Sequence, residues 1–124
     1  MKALIVDDSR AMRTILGNIV GPLGFDVVTA VHGRDALEKL GEGPLPDLML
    51  VDWNMPEMNG FELVQNVRAR AAYAEIKIVM VTTETEIDHV AAALEAGANE
   101  YVMKPFTSEV IREKLNLLGL TSSS

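Results

Sequence analysis

The sequence contains no cysteine, which excludes a disulfide framework, an iron–sulfur centre and thiol chemistry, and favours a reducing compartment. Basic residues are also few. The net charge of −7, from 11 Lys and Arg against 18 Asp and Glu, disfavours nucleic acid and anionic membranes as partners. The N-terminal apolar run stops at Asp7, so it is too short for a signal peptide or a membrane span. These absences predict a cytoplasmic protein.

Apolar residues are abundant, at 48% of 124 residues, which fits one globular domain with a core of its own. Five short apolar runs are continuous rather than alternating, a pattern typical of parallel strands that are buried on both faces. These runs are Ala3–Val6, Val27–Ala30, Leu48–Val51, Ile78–Val81 and Tyr101–Met103.

Between the runs, apolar residues recur at helical spacing. The predicted helices centre on Met12–Val20, Phe61–Val67, Ile87–Ala98 and Val110–Leu118, with a weaker helix over Asp35–Leu40. Strands that alternate with helices, joined by right-handed crossovers, predict an α/β domain: a (βα)5 doubly wound, five-stranded parallel sheet between two layers of helices. We expect the domain to span residues 1–120, with residues 121–124 a disordered tail.

Polar residues follow four of the predicted strands directly. Asp7 and Asp8 follow the first strand, Asp52 the third, Thr82 the fourth and Lys104 the fifth. Since ligands of open α/β sheets bind beyond the carboxyl ends of the strands, we expect these side chains to share one site.

One Asp after a strand is often only a helix N-cap, and either Asp8 or Ser9, taken by itself, fits that role. Three clustered carboxylates need neutralising, and their hard oxygen ligands favour Mg²⁺. Lys104 is either a simple counter-ion or the point charge that holds a phosphoryl oxygen. With the Thr82 hydroxyl, these groups would surround a phosphoryl group bonded to a carboxylate. Asp52, alone at its strand end, is the candidate acceptor.

Five short motifs stand in order at these strand ends, and together they resemble the receiver domain of two-component response regulators over essentially the whole chain. The resemblance is strongest to the stand-alone receivers that act in chemotaxis, and it implies the strand order 2-1-3-4-5. The motifs are Val-Asp-Asp-Ser-Arg (6–10), Val-Asp-Trp-Asn-Met-Pro (51–56), Met-Asn-Gly (58–60), Val-Thr-Thr (81–83) and Tyr-Val-Met-Lys-Pro-Phe (101–106).

The resemblance implies a role for each matching site residue. Asp52 would be the phosphoacceptor, and Lys104 would pair with the phosphoryl group. Asp8, Asp52 and the backbone carbonyl of Asn54 would bind Mg²⁺, with Asp7 acting through water. The cofactor implied is Mg²⁺ alone. The protein would be a signalling phosphoacceptor rather than an enzyme, with intrinsic self-phosphorylation and autodephosphorylation.

The resemblance also implies a switch. Thr82 would move towards the phosphoryl group and Tyr101 would then turn inward, while Pro105 matches a position preceded by a cis peptide bond. The side chains of Asn54 and Glu84 match positions that tune dephosphorylation.

Partners follow from the same resemblance. The phosphodonor would be a histidine kinase, and the effector would bind the face made by the fourth helix, fifth strand and fifth helix. The flagellar motor switch is the first candidate, with the receiver a monomer that lacks an output domain. The acidic stretch Glu84–Asp88 and Ser9 depart from the enteric chemotaxis pattern, so a phosphorelay shuttle or another stand-alone receiver stays open.

Two other classes of protein share parts of this pattern. A Mg²⁺-dependent phosphatase of the haloacid dehalogenase type would have Asp-x-Asp after the first strand, where this chain has Asp7-Asp8-Ser9. A flavodoxin-like electron carrier would bind a flavin phosphate at that loop, where the two carboxylates would repel it.

Overall fold

The computed structural model describes residues 1–83 and 89–121, and it confirms the predicted α/β architecture. Within these residues, five strands alternate with five α-helices. Two short 3-10 turns, Gly21–Leu23 and Ala71–Tyr73, follow the first and third helices. The elements are β1 (Lys2–Val6), α1 (Arg10–Val20), β2 (Asp26–Ala30), α2 (Gly33–Leu40), β3 (Leu48–Asp52), α3 (Gly60–Arg68), β4 (Lys77–Thr82), α4 (Val90–Ala96), β5 (Glu100–Met103) and α5 (Ser108–Leu117).

The strands form one sheet in the order β2-β1-β3-β4-β5, as expected. Every neighbouring pair is parallel, so all carboxyl ends meet at one edge. The register aligns Val6 with Val51 and Asp52 with Val81. Asp7 and Asp52, which follow the aligned residues Val6 and Val51, therefore start from adjacent positions.

A hydrophobic core covers each face of the sheet. One face packs under α2, α3 and α4, with Leu40, Leu63 and Ala93 among its buried residues. The other packs under α1 and α5, with Leu16 and Ile111 buried. All five residues of β3 are buried, which explains why its apolar run is continuous.

Polar side chains define where several helices begin. The Ser9 hydroxyl accepts a hydrogen bond from the backbone N–H of Met12 at the start of α1. At α3, Asn59 and Glu62 form a reciprocal capping box, which satisfies two backbone donors that the first turn leaves open. These side chains thereby fix the residues at which α1 and α3 begin.

The structure differs from the helical predictions in a few places. Ile15, Leu94 and Val110 were expected on packing faces, but their side chains are exposed. α2 begins at Gly33, before the predicted start, because His32 Nδ1 accepts a hydrogen bond from the backbone N–H of Asp35.

The ends of two predictions fall outside the described residues. The beginning of the fourth predicted helix lies in residues 84–88, and residues 122–124 belong to the predicted tail. Thr121 is described, and its hydroxyl lies 2.9 Å from Asn116 Oδ1. Among the described residues, no helix is long and apolar enough to cross a membrane.

Candidate phosphoacceptor and metal site

The predicted acidic residues meet at the carboxyl edge of the sheet. Asp7, Asp8 and Asp52 each present a carboxylate oxygen, and these oxygens lie within 4.8 Å of one another. Asp7 and Asp52 are 1% and 5% exposed, whereas Asp8 opens to solvent. Ser9, rather than Asp8, is the N-cap of α1. Three carboxylates are left to face one small volume.

Asp7 is held in place from several directions. The backbone N–H of Ser9 donates to Asp7 Oδ1 at 2.8 Å, and the Arg13 guanidinium donates to the Asp7 backbone carbonyl at 2.8 Å. Asp7 Oδ2 is buried and receives no hydrogen bond from the described part of the chain. Lys104 Nζ lies 3.8 Å from this oxygen. A buried oxygen that accepts no hydrogen bond needs another favourable contact. Asp7 Oδ2 is therefore the atom of the cluster that a bound cation fits best.

Burial raises the pKa of the Asp7 carboxyl above its ordinary value, and Asp8 adds to the effect; the Ser9 N–H, Lys104 and Arg13 oppose it. Burial also raises the pKa of Asp52, from 3.8 to about 6, with the charge of Asp7 as the next cause; Lys104 opposes this rise. Crowded, buried carboxylates disfavour ionisation of one another. The three carboxylates therefore carry more negative charge than the neighbouring cations balance, which suits the cluster to a divalent cation.

Lys104 supplies the cation that the site already contains. Its Nζ donates to Asp52 Oδ1 at 3.1 Å, while its backbone N–H donates to the Thr82 carbonyl at 2.6 Å. The peptide bond between Lys104 and Pro105 is cis, as the resemblance implied. Lys104 is thereby anchored to β4 with its ammonium over the candidate acceptor.

The remaining predicted site residues differ in burial. Thr82 is buried at the end of β4, and its hydroxyl contacts the Thr83 carbonyl at 3.4 Å. Asn54 is exposed in the loop after β3, and Tyr101 is half-buried on β5. Glu84 lies outside the described residues. Thr82 thus lies at the same edge of the sheet as the carboxylates, and Asn54 lies two residues after Asp52 in the loop that leaves this edge.

Trp53, next to Asp52, stacks on the His89 ring with centroids 5.0 Å apart and planes inclined by 12°. It also contacts Phe61, at 5.9 Å between centroids. The sole tryptophan of the chain therefore joins the site to the beginning of α4.

Two contributors to the site were missed from the sequence. A Cβ on Gly60 would lie 2.5 Å from the Asp52 carbonyl oxygen and 3.0 Å from Trp53 Cα, so only glycine lets α3 approach β3 this closely. The Asn59-Gly60 pair marked a helix start but not this contact. The bond from Arg13 to the Asp7 carbonyl had no sequence signal, because its acceptor is backbone.

Comparisons with known proteins agree with this geometry. The family model described as the response regulator receiver domain matches residues 3–116. Chemotaxis protein CheY1 of Helicobacter pylori (strain ATCC 700392 / 26695) is 48% identical over 119 residues, covering 95% of this chain and 96% of that protein. A chemotaxis protein CheY homolog of Campylobacter jejuni is 48% identical over 124 residues, covering 98% and 95%.

Solved structures give the same result. The chemotaxis protein CheY4 of Vibrio cholerae superimposes with a TM-score of 0.85 at 36% identity, covering 94% of this chain and 96% of that one. A response regulator described for Chloroflexus aurantiacus gives a TM-score of 0.86 at 32% identity, covering 95% and 97%. Both the fold and the motif resemblance are confirmed.

Proposed function

Because the chain belongs to the response regulator receiver domain family, we propose that it is a phosphoacceptor switch of a chemotaxis phosphorelay, with Asp52 as the acceptor. One observation carries this proposal: the buried Asp52 carboxylate lies 3.1 Å from Lys104 Nζ, within a cluster of three carboxylates. The relatives named as chemotaxis proteins match nearly the full chain, which supports the pathway. Such a protein acts by signalling rather than by turnover.

Mg²⁺ is the cofactor that the site fits. Asp7, Asp8, Asp52 and the Asn54 backbone carbonyl would hold it, and the orphaned Asp7 Oδ2 supports this assignment. When bound, Mg²⁺ supplies positive charge that stabilises the oxygens of a transferring phosphoryl group.

Asp52 needs no general base to act as the nucleophile. Its pKa of about 6 leaves the carboxylate mostly ionised at neutral pH. An Asp52 oxygen attacks phosphorus in line, the new O–P bond forms, and the bond from phosphorus to the donor's nitrogen or oxygen breaks. The leaving group keeps that electron pair. Lys104 Nζ moves from the carboxylate to a phosphoryl oxygen, which adds charge-assisted contact where charge gathers.

The aspartyl phosphate would then act through the end of β4. Its charge draws the Thr82 hydroxyl towards it. Space released near Thr82 admits Tyr101, so the surface of α4, β5 and α5 changes. The side chains of Asn54 and Glu84 would govern how water reaches the phosphoryl group.

The partners follow from that surface. A histidine kinase would supply the phosphoryl group, and an effector would read the face of α4, β5 and α5, where Leu94 and Val110 are exposed. The flagellar motor switch is our first candidate effector; a shuttle to a second histidine protein is the alternative. We propose that the chain works in the cytoplasm as a monomer and binds neither nucleic acid nor membrane.

Incubation with acetyl phosphate and Mg²⁺, followed by intact-mass measurement, tests the acceptor. We expect one phosphoryl adduct that needs the metal and is absent from Asp52→Asn, while Asp35→Asn, a control on α2, keeps it. An adduct that persists in Asp52→Asn would overturn the assignment. Rapid release of phosphate from many esters would favour the phosphatase class instead, and a yellow, flavin-loaded protein would favour the electron carrier.

A binding assay on purified motor switch protein tests the effector. We expect retention of the receiver only with Mg²⁺ and beryllofluoride, a phosphoryl mimic, and none with Asp52→Asn. Equal retention with and without the mimic, or none at all, would contradict the motor assignment while leaving the acceptor chemistry untouched.

A further inference from the structure

Tyr101 lies under a lysine from the neighbouring helix. The Lys114 ammonium on α5 is 5.1 Å from the centroid of the Tyr101 ring, within the range in which a cation is attracted to the face of an aromatic ring. Lys114 and Glu100 are only 27% and 23% exposed at their side chains. Water and salt therefore screen their charges less than those of a fully exposed pair.

Glu100 holds this lysine in place. Its Oε1 accepts a hydrogen bond from Lys114 Nζ at 3.1 Å and a second from the backbone N–H of Tyr101 at 3.1 Å. One carboxylate oxygen thus links the ammonium to the backbone of the residue whose ring it covers. We call Glu100 and Lys114 the β5–α5 clamp.

The clamp restrains Tyr101 in one direction because the Tyr101 ring and α5 pack on opposite faces of the sheet. Tyr101 packs against the core cluster under α2, α3 and α4, whereas α5 covers the other cluster. β5 is an edge strand, so the ring reaches Lys114 around that edge. A ring that moved deeper between β5 and α4 would leave Lys114 behind.

We propose that the β5–α5 clamp is a positioning device that holds Tyr101 at the sheet edge and so sets how strongly phosphorylation must act to switch the protein. This inference rests on the proposed function, because it assigns Lys114 and Glu100 a regulatory part in the Tyr101 movement. Phosphorylation favours the inward position of Tyr101, whereas the clamp favours its position at the sheet edge. Each therefore opposes the effect of the other on this equilibrium.

The expected effect is modest. An exposed or half-buried cation–π contact changes a two-state population about 2- to 5-fold. Lys114→Met keeps an apolar side chain of similar length but removes the charge, so it should raise the inward population of Tyr101 by that factor. Lys114→Arg keeps a cation over the ring and should restore the wild-type population.

The chain offers a matched control. It contains two tyrosines, and the second, Tyr73, lies under Arg70 at 6.0 Å from the guanidinium carbon to the ring centroid. Incorporation of 3-fluorotyrosine gives one fluorine signal for each ring. Lys114→Met should shift the Tyr101 signal and not that of Tyr73, whereas Arg70→Met should do the reverse.

Beryllofluoride affinity, read from Trp53 fluorescence in the presence of Mg²⁺, supplies the second measurement. We expect Lys114→Met and Glu100→Gln to bind the mimic about 2- to 5-fold more tightly, with Lys114→Arg and Arg70→Met close to wild type. An unmoved Tyr101 signal in Lys114→Met, or an unchanged or weakened affinity, would overturn the clamp while wild-type binding still upheld the receiver. Absence of a beryllofluoride response in the wild type would instead overturn the proposed function itself.

Discussion

The two ends of the sheet differ in how far neighbouring groups compensate the charges that lie there. At the amino end of β4, the Arg68 guanidinium donates to the carbonyls of Gly97, Tyr73 and Ile76 and to Asn99 Oδ1, all between 2.6 and 2.9 Å. At the carboxyl end, Asp7 Oδ2 is buried without a hydrogen bond from the described residues, and Asp52 shares one lysine with Asp7. One end compensates its charge from within the chain, and the other leaves compensation incomplete.

Backbone geometry shows the same contrast. Near Arg68, the positive φ of 121° falls on Gly97, and a Cβ there would lie 2.6 Å from Arg68 Cγ. In the loop between β3 and α3, the positive φ of 66° falls on Glu57, a residue type that this conformation disfavours. The positive φ beside Arg68 thus falls on a glycine, which adopts it readily, whereas the loop after β3 holds a glutamate in this conformation.

The largest expected effect is at the compensated end. Arg68→Met removes the hydrogen-bond donors of three part-buried carbonyls, those of Gly97, Tyr73 and Ile76, and we expect the free energy of unfolding to fall by about 3 kcal/mol. Arg68→Lys keeps the charge but loses the planar guanidinium, so its free energy of unfolding should lie between those of the wild type and Arg68→Met. Urea denaturation measures both, with Arg70→Met as the control. A loss below about 1 kcal/mol would show that this network is dispensable.

Removal of a charge at the acidic end should instead raise the free energy of unfolding. Asp52→Asn relieves a buried carboxylate that lies close to Asp7, so we expect stability at pH 7.5 and without divalent cations to rise by about 2–3 kcal/mol. Asp47→Asn, at the other end of the sheet, should give no gain. Destabilisation by Asp52→Asn in the same urea assay would contradict incomplete compensation.

The raised pKa of Asp52 also predicts how stability depends on pH. Because the pKa of Asp52 is raised from 3.8 to about 6, the folded state binds its proton more tightly than the unfolded state does. The stability that this protonation contributes is present at low pH and is lost as the pH rises from about 4 to about 6. Urea midpoints across that window should therefore decline more in the wild type than in Asp52→Asn. Parallel profiles would contradict the raised pKa.

The smallest effect concerns backbone strain at Glu57, in the loop between β3 and α3. Asparagine adopts positive φ more readily than glutamate, so Glu57→Asn should stabilise the fold by about 0.5–1 kcal/mol. Thermal unfolding of Glu57→Asn against Glu42→Asn, an exposed control, would reveal the gain. Equal melting temperatures would mean that Glu57 carries no strain.

Much of the acidic end could be predicted from the sequence, because its parts are local. Asp7 and Asp52 directly follow continuous apolar runs, and parallel strands bring such residues to one edge. The Arg68 network gave no such signal, since most of its acceptors are backbone carbonyls, at Tyr73 and Ile76 in the connection to β4 and at Gly97 after α4. The exposure of Leu94 and Val110 could not be read from periodicity either. Helical spacing identifies an apolar face but not how much of it the neighbouring elements cover.

Mg²⁺-dependent stability tests most directly whether the acidic end is built to be completed by a ligand. The measurement is the free energy of unfolding of the wild type, Asp7→Asn and Asp52→Asn at pH 7.5, with and without about 10 mM Mg²⁺. A ligand that binds only the folded state stabilises it, here by about 1 kcal/mol for millimolar affinity. We predict that gain for the wild type, and little or none for either variant. No gain in the wild type, or the same gain in all three proteins, would contradict the account.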